Sequence, residues 1–264
     1  MAPSSKDNKT QTVNANSNME LSVLGSSSRG NCYILHNDAE AIIIECGLPL
    51  LEAKKALAFN ISKICGCLVT HEHGDHSGHI QEFLNSRLPI YASPGTINAI
   101  ETRGAFRPFP LKAGVKMQIG NFTILPFYVK HDAAEPLGFL IKHPEIGLLL
   151  FATDTYYLPY TFAGLTNIMI ECNYRIDILE KGIAEGRIPA TLRDRTLQSH
   201  MSLDTCKEAL LANDLTKVNN IILLHLSDNN SNAGEFKDDI HKATGKRVHI
   251  ADKGLKITLN KTPF

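Results

Sequence analysis

The sequence predicts a mixed α/β (α+β) protein built as a four-layered αββα sandwich, in which two β-sheets face each other and helices cover both outer sides. Two observations predict this class. Short apolar runs typical of β-strands recur in both halves of the chain, and segments with helical spacing lie between them. A length of 264 residues is enough for one large domain with a sizeable core.

The beginning of the chain is polar. Residues 1–18 consist largely of Ser, Asn, Lys and Thr, and they contain almost no large apolar side chain. Burial of this segment therefore cannot offset the entropy lost on ordering it. We expect a flexible tail over residues 1–18 and a single domain over residues 19–264.

The predicted domain begins with strands at residues 21–24, 32–35 and 41–45, and a Gly/Ser-rich turn over residues 25–31 separates the first two. Apolar spacing then predicts a helix at residues 50–59. A buried strand over residues 64–69 follows and runs directly into His71. A cluster of histidines is therefore expected on the loop after this strand.

Helices and strands continue to alternate along the rest of the chain. Further helices are predicted at residues 80–84, from Pro94 onward, and at 177–185, 203–212 and 233–244. Further strands are predicted at residues 89–92, 115–119, 122–128, 138–141, 147–152, 167–172, 219–224, 247–251 and 255–259. Both halves of the chain thus supply strands for a two-sheet sandwich.

The cysteines predict the cellular compartment. Six of them mostly lie inside apolar runs, which is typical of reduced, buried thiols. Cys65 and Cys67 are two apart in a predicted strand, so we expect them on one face and buried, with half of a metal site as the alternative. The chain has no apolar run of about 20 residues and no signal-peptide core. We expect a soluble cytoplasmic protein that does not bind membranes.

Residues 70–76 read Thr-His-Glu-His-Gly-Asp-His. His71 and His73 are two apart, so on an extended segment both rings face one side and can bind one ion. Gly74 is expected to permit a sharp bend, after which Asp75 and His76 address a second ion. Imidazole and carboxylate ligands suit zinc, with manganese, iron or nickel as alternatives. The alternative is a solvated polar loop in which these residues have no role in metal binding.

One loop cannot complete two metal sites, so this hypothesis requires further ligands at the ends of later strands. His131 follows the strand that begins at Phe122, Asp154 follows the strand at residues 147–152, and His225 follows the strand at residues 219–224. Each lies just beyond an apolar strand, where loops gather at one rim of a sandwich. The sequence therefore supplies the expected ligands.

This set of residues resembles the metallo-β-lactamase superfamily of hydrolases over residues 19–259. The resemblance implies two divalent ions, with His71, His73 and His131 holding the first, Asp75, His76 and His225 the second, and Asp154 bridging both. Hydrolytic β-lactamases usually lack Asp at the bridging position, so Asp154 indicates the phosphodiesterase and ribonuclease-Z-like branches. Many relatives carry Asp where this chain has Glu45, a position that supports the first loop from behind the ligands.

The same resemblance assigns two catalytic residues. Two cations roughly 3.5–4 Å apart lower the pKa of a bridging water and stabilise the attacking and leaving oxygens of a phosphodiester. Asp75 would orient the nucleophile, and His200, in the segment over residues 199–202, would donate a proton to the leaving oxygen. The alternative for His200 is a surface loop histidine. His79, three residues after His76, is not needed as a ligand.

Finer motifs narrow the branch. Residues 25–32 (GSSSRGNC), 171–174 (ECNY), 199–202 (SHMS) and 225–231 (HLSDNNS) resemble the subgroup of bacterial YycJ-type proteins and phage anti-Pycsar phosphodiesterases. That resemblance implies a homodimer that hydrolyses 3′,5′-cyclic mononucleotides such as cCMP or cUMP to nucleoside monophosphates. It also implies a phage-encoded protein that counters a cyclic-nucleotide defence in the bacterial cytosol.

Other functions remain open at this point. A nuclease on DNA or RNA is the first alternative, although equal numbers of acidic and basic residues, 27 each, give no support for a broad basic field. A thioesterase-type hydrolase and a binding module that sequesters a nucleotide are the others. The turn with Arg29 is either a phosphate cradle or a plain hairpin turn. Residues 228–232 either contact the substrate or cap the following helix.

Overall fold

Within residues 18–104 and 106–262, which this computed structural model describes, fourteen strands form two sheets. The strands are β1 (Glu20–Gly25), β2 (Cys32–His36), β3 (Ala41–Ile44), β4 (Ile64–Leu68), β5 (Ile90–Ala92), β6 (Phe109–Pro110), β7 (Met117–Ile119), β8 (Phe122–Tyr128), β9 (Leu137–His143), β10 (Gly147–Ala152), β11 (Asn167–Glu171), β12 (Asn220–Leu224), β13 (Arg247–Ile250) and β14 (Lys256–Thr258). The predicted tail lies outside the described residues apart from Asn18.

Each sheet has seven strands, and each combines antiparallel with parallel pairing. The order in the first sheet is β14-β1-β2-β3-β4-β5-β6, and in the second it is β13-β12-β11-β10-β9-β8-β7. Strands β3 to β6 run parallel to one another, as do β10 to β13. The carboxyl ends of these strands therefore gather at one edge of their sheet, where loops can carry a site.

Helices lie outside both sheets. They are α1 (Leu50–Ala56), α2 (Gly74–Ser77), α3 (Ile80–Asn85), α4 (Pro94–Ala99), α5 (Ile176–Ala184), α6 (Thr191–Ser199), α7 (Leu203–Leu211) and α8 (Ala233–Thr244), with a 3₁₀ turn at Ile61–Lys63. The Pro-started helix α4 begins as predicted, because the Ser93 side chain accepts a hydrogen bond from the Thr96 amide. None of the described helices has the length and apolar character needed to cross a membrane.

Clusters of buried apolar side chains hold these layers together. Fully buried side chains such as Tyr33, Phe139 and Phe151 fill the space between the sheets. A second cluster, with Phe83, packs α1 and α3 on the first sheet, and a third, with Phe236, packs α7 and α8 on the second. Two sheets packed face to face, with helices on their outer sides, confirm the predicted αββα sandwich. The buried apolar area between these layers is the main contribution to their stability.

The structure corrects the expectation that Cys65 and Cys67 share a face. The pairing of β3 with β4 shifts register between Ala41 and Ile42, and this bulge interrupts the alternation of side chains. Cys65 consequently packs against the core between the sheets, whereas Cys67 is buried in the cluster under the helices. All six cysteines are free thiols, and Cys65 alone among them is half-buried.

Candidate metal centre

Three residues at the ends of strands adopt left-handed backbone conformations that non-glycine residues rarely take. The φ angles are 67° at Glu45 after β3, 47° at Asp154 after β10 and 54° at His225 after β12. Such strain persists only where surrounding structure enforces it, and it is concentrated at functional sites. Here the unusual backbone accompanies three side chains that point into one buried polar cluster.

The first group of candidate ligands contains His71, His73 and His131. The Nε2 atom of His71 lies 3.0 Å from Nδ1 of His73, and Nε2 of His131 lies 3.1 Å from that same Nδ1 atom. His71 follows β4 and His131 follows β8, so two different sheets supply the group. Three convergent imidazole nitrogens are a ligand set suited to zinc.

Hydrogen bonds on the far side of two rings fix which nitrogen carries the lone pair. The Thr70 hydroxyl donates to Oε1 of Glu45 at 2.5 Å, so it accepts a hydrogen bond from Nδ1 of His71 at 2.9 Å. Nδ1 of His131 donates to the Ser199 carbonyl at 3.0 Å. Both Nε2 atoms therefore direct lone pairs toward Nδ1 of His73, an arrangement that a cation at their centre would satisfy.

The second group contains Asp75, His76, Asp154 and His225, whose ligand atoms all lie within 4.8 Å of one another. Nε2 of His76 is 2.9 Å from Oδ2 of Asp154, and the same oxygen is 3.5 Å from Nε2 of His71. Asp154 thus contacts both groups. Nε2 of His225 is buried without a hydrogen-bond partner, which is the kind of orphaned atom that a bound ion would satisfy.

The charge states in this cluster differ from one residue to the next. Burial alone would lower the pKa of His76 and of His225, but Asp154 and the other neighbouring carboxylates raise both, so a bound ion would displace a proton from each ring. Burial and the neighbouring positive charge of His76 lower the pKa of His71 well below its usual value, so its imidazole is neutral at pH 7. Burial alone would raise the pKa of Asp154, but His225 and His76 hold it well below its usual range. A neutral imidazole and an ionised carboxylate are the forms that coordinate a cation.

Asn31 is a site residue that sequence reasoning missed. Its Nδ2 atom lies 3.2 Å from Oδ2 of Asp75 and 3.1 Å from Nε2 of His76, and its backbone amide donates to the Asp75 carbonyl at 2.7 Å. Asn31 ends the turn over residues 25–31, for which the sequence predicted either a phosphate cradle or a plain hairpin turn. It orients the carboxylate of Asp75.

The structure also corrects the expectation for Gly74. This residue begins α2, has no left-handed φ, and an added Cβ atom would meet nothing within 4 Å. The glycine that the motif requires is Gly47, because a Cβ atom there would lie 1.7 Å from the Asp75 carbonyl oxygen. The backbone of Cys46 bonds the His76 carbonyl at 2.8 Å, so residues 46–47 press directly against the motif.

Glu171 links the predicted proton donor to the candidate ligands. Oε1 of this fully buried carboxylate lies 2.7 Å from Nδ1 of His200 and 3.4 Å from Nδ1 of His225. Its other oxygen accepts hydrogen bonds from the backbone amides of Thr155 and Met201. Burial alone would lower the pKa of His200, but the charge of Glu171 and the hydrogen bond to it raise the pKa above its usual value. His200 is therefore a half-buried histidine whose ring is held by Glu171, and not a free surface one.

A cavity of about 400 Å³ opens over both groups. Asp75, Asp154 and His200 lie at its floor, and the turn over residues 27–28, the loop over residues 228–230 and one face of α6 form its walls. Arg29 does not line this cavity, because it pairs with Asp228 at 2.5 Å and faces a neighbouring cavity of about 570 Å³. Within the loop at residues 228–232, Asn232 caps α8 by accepting from the Glu235 amide.

Comparison with known proteins identifies the family. Residues 41–226 match the model of the β-lactamase superfamily domain. The chain belongs to this superfamily. It is therefore a metallo-hydrolase of the metallo-β-lactamase fold, and its two candidate His/Asp groups have the side chains needed to hold divalent metal ions.

Relatives within the superfamily agree with this assignment. The exodeoxyribonuclease YycJ of Bacillus anthracis is 31% identical over 227 residues, covering 80% of this chain and 84% of that protein. The exodeoxyribonuclease WalJ of Streptococcus pneumoniae is 26% identical over 254 residues, 90% of this chain and 91% of that protein. The solved metallo-β-lactamase fold protein YhfI of Bacillus subtilis covers 90% of this chain and 99% of its own, with a TM-score of 0.68 at 15% identity. The predicted resemblance to YycJ-type proteins is confirmed.

Proposed function

We propose that this protein is a dinuclear metal-dependent phosphodiesterase that hydrolyses 3′,5′-cyclic mononucleotides, in particular cCMP and cUMP, to nucleoside monophosphates. The observation that carries the proposal is the position of Asp154 between two groups of ligand-type side chains. Beside these groups, His200 forms a hydrogen bond with Glu171. A homodimer that acts in the bacterial cytosol against a cyclic-nucleotide antiviral defence is part of the same proposal.

The proposed ligand sets follow the two groups and Asp154. The first ion is held by His71, His73 and His131, the second by Asp75, His76 and His225, and Asp154 contacts both. Zinc suits these nitrogen and oxygen donors best, and manganese is the second choice. Divalent ions bound there would supply Lewis-acid stabilisation of the phosphoryl oxygens and a lowered pKa for the attacking water.

The side chains of the chain itself would orient the reactants and move the proton. The Asp75 carboxylate, which is partly exposed to the cavity and held by Asn31, orients the water that attacks phosphorus. After the water has lost a proton to solvent, its oxygen bonds to phosphorus as the ester bond to the leaving oxygen breaks, and His200 donates its own proton to that leaving oxygen. Glu171 stabilises the protonated form of His200 before the transfer and keeps its ring directed at the cavity.

The cavity favours a small substrate over a polymer. Its volume of about 400 Å³ lies within the range of roughly 300–1,000 Å³ that is typical of small-molecule sites. Among the described residues, Arg187 and Arg195 are the arginine and lysine side chains that line it. A duplex or single strand carries a phosphate on every nucleotide and requires a longer track of such residues. A cyclic mononucleotide carries one negative charge.

A second candidate function is hydrolysis of DNA from one end. The observation that favours it is the similarity to the YycJ and WalJ proteins, both of which are named exodeoxyribonucleases. The same Asp75 and His200 would act on the terminal phosphodiester bond. The two candidates differ in the size of the molecule that reaches the centre.

One panel of substrates distinguishes these functions. The protein is incubated with cCMP, cUMP, cAMP and cGMP, with cyclic dinucleotides, and with duplex DNA and structured RNA, each with and without a chelator. We expect cyclic mononucleotides, pyrimidine ones first, to be converted to monophosphates in a chelator-sensitive reaction. Release of nucleotides from DNA, with cyclic mononucleotides left intact, would instead establish the exonuclease function.

A further inference from the structure

One face of α6 forms a wall of the cavity. Leu192, Arg195, Thr196 and Ser199 all line it, and their spacing of three, four and seven residues places them on one side of the helix. The helix ends at Ser199, directly before His200. The wall and the predicted proton donor are therefore parts of one continuous segment.

Arg195 differs from the other arginines of this region in its partners. Arg187 hydrogen-bonds Glu185 at 2.7 Å, and Arg193 hydrogen-bonds Glu180 at 2.7 Å. The nearest carboxylate to Arg195 is that of Asp132, 3.9 Å away, and the Arg195 side chain is 67% exposed. Within residues 18–104 and 106–262, Arg195 makes no hydrogen bond at its guanidinium. Its donors are thus available to a molecule in the cavity.

The other residues of the cavity indicate that the partner of the Arg195 guanidinium is a phosphate group of the substrate. Asp75, Asp132 and Asp154 contribute carboxylates, so an anionic substrate needs positive charge beyond that of the metal centre. A guanidinium can donate two parallel hydrogen bonds to two oxygens of one phosphate group. Arg195 supplies this geometry from the wall that leads to His200.

We propose that Arg195 is a substrate-binding residue that donates hydrogen bonds to the non-bridging phosphate oxygens of a monoanionic phosphodiester. This inference rests on the proposed phosphodiesterase function and names the residue that recognises the charge of the substrate. Arg195 contacts the substrate in the ground state and the transition state alike, so its removal raises KM more than it lowers kcat.

The test compares Arg195→Gln with Arg193→Gln in the metal-loaded protein. Both substitutions retain a good helix former on the same helix, and Arg193 does not line the cavity. We expect Arg195→Gln to raise KM for cCMP about tenfold, since hydrogen bonds to charged groups contribute about this factor or more. In Arg193→Gln, KM is expected to stay within about twofold of wild type.

Two further substrates distinguish the loss of phosphate recognition from a general loss of substrate binding. Bis(p-nitrophenyl) phosphate is a monoanion and p-nitrophenyl acetate is neutral, so KM should rise in Arg195→Gln only for the phosphate ester. Metal content should be equal in all three proteins. An unchanged KM for both cCMP and the phosphate ester, or an equal rise for the neutral ester, would overturn the assignment.

Failure of the proposed function gives a different pattern. If wild type cleaves no phosphodiester, that function is wrong, and Arg195 is then tested by the equilibrium affinity of the metal-loaded protein for inorganic phosphate. Weaker binding by Arg195→Gln than by Arg193→Gln supports an anion-binding role. Equal affinities overturn it.

Discussion

Nδ1 of His200 lies 2.7 Å from Oε1 of Glu171, and this carboxylate is fully buried at the end of β11. The same oxygen lies 3.4 Å from Nδ1 of His225, a candidate metal ligand. One buried acid therefore orients both the predicted proton donor and a ring of the candidate metal centre. Because the acid also accepts two backbone amides, it cannot turn away from these histidines without losing several hydrogen bonds.

Removal of the His200 ring should lower turnover without unfolding the protein. We expect His200→Ala to reduce kcat by about 10² to 10⁴-fold, the usual contribution of a general acid, with metal content unchanged. His79→Ala is the matched control, since His79 bonds the nearby Glu82 and lies outside the cavity. Steady-state kinetics on cCMP measure both. Wild-type kcat in His200→Ala would show that the assigned role is wrong.

The effect of Glu171 should depend on His200. Glu171→Gln removes the negative charge that stabilises the protonated imidazole, so kcat should fall at least about tenfold. In the background of His200→Ala, the same change should have a much smaller effect, because the two residues act as a unit. Kinetics on the single and double variants give the coupling. Fully additive losses would mean that Glu171 acts independently of His200.

The two glycines near the motif should respond differently to an added methyl group. Gly47→Ala places Cβ 1.7 Å from the Asp75 carbonyl, so we expect a loss of about 1–3 kcal/mol in the free energy of unfolding and weaker metal binding. Gly74→Ala meets no atom within 4 Å and should be neutral or slightly stabilising. Urea unfolding and metal titration of both variants test this. Equal behaviour would contradict the assignment of close contact to Gly47.

A polar cluster centred on Glu40 predicts a pH dependence of stability. Its carboxylate accepts hydrogen bonds from the backbone amide of Asn121 at 2.9 Å and from the Asn121 side chain at 2.7 Å. Nε2 of His143 lies 3.1 Å from the same carboxylate. Burial alone would raise the pKa of Glu40, but these hydrogen bonds lower it below the usual value. The stabilisation is therefore present above the unfolded-state pKa and is lost as the pH falls through the folded-state pKa.

Glu40→Gln should consequently cost about 1–2 kcal/mol at pH 7 and less near pH 3. The exposed substitution Glu101→Gln provides the control. Urea unfolding at both pH values measures the difference. A cost that is the same at both pH values would show that the carboxylate charge of Glu40 contributes nothing.

The fold and the candidate ligands could be predicted because each depends on local sequence. An apolar strand followed by His or Asp was enough to place His71, His131, Asp154 and His225 at strand ends. The helix α6 could not be predicted in this way. Its sequence contains Leu192 and Leu197 as large apolar residues, and its apolar contacts come from Leu179, Tyr174 and their neighbours. The cavity wall depends on tertiary packing.

The supporting residues were also beyond sequence reasoning. Glu171 meets His200 and His225 across 29 and 54 residues of chain, and no spacing rule relates such positions. Asn31 meets Asp75 across 44 residues. Gly47 was missed because its role is to leave room for a carbonyl oxygen of a distant loop. Only the folded arrangement reveals these contacts.

The proposed function requires that Asp154 join two metal sites in one centre. Elemental analysis of gently purified protein, expressed as ions per chain, measures how many metal ions this centre holds. We predict close to two divalent ions per chain, mainly zinc, and restoration of this content when zinc or manganese is added to chelated protein. Trace metal in the purified protein, with no uptake of added Zn²⁺ or Mn²⁺, would contradict this requirement.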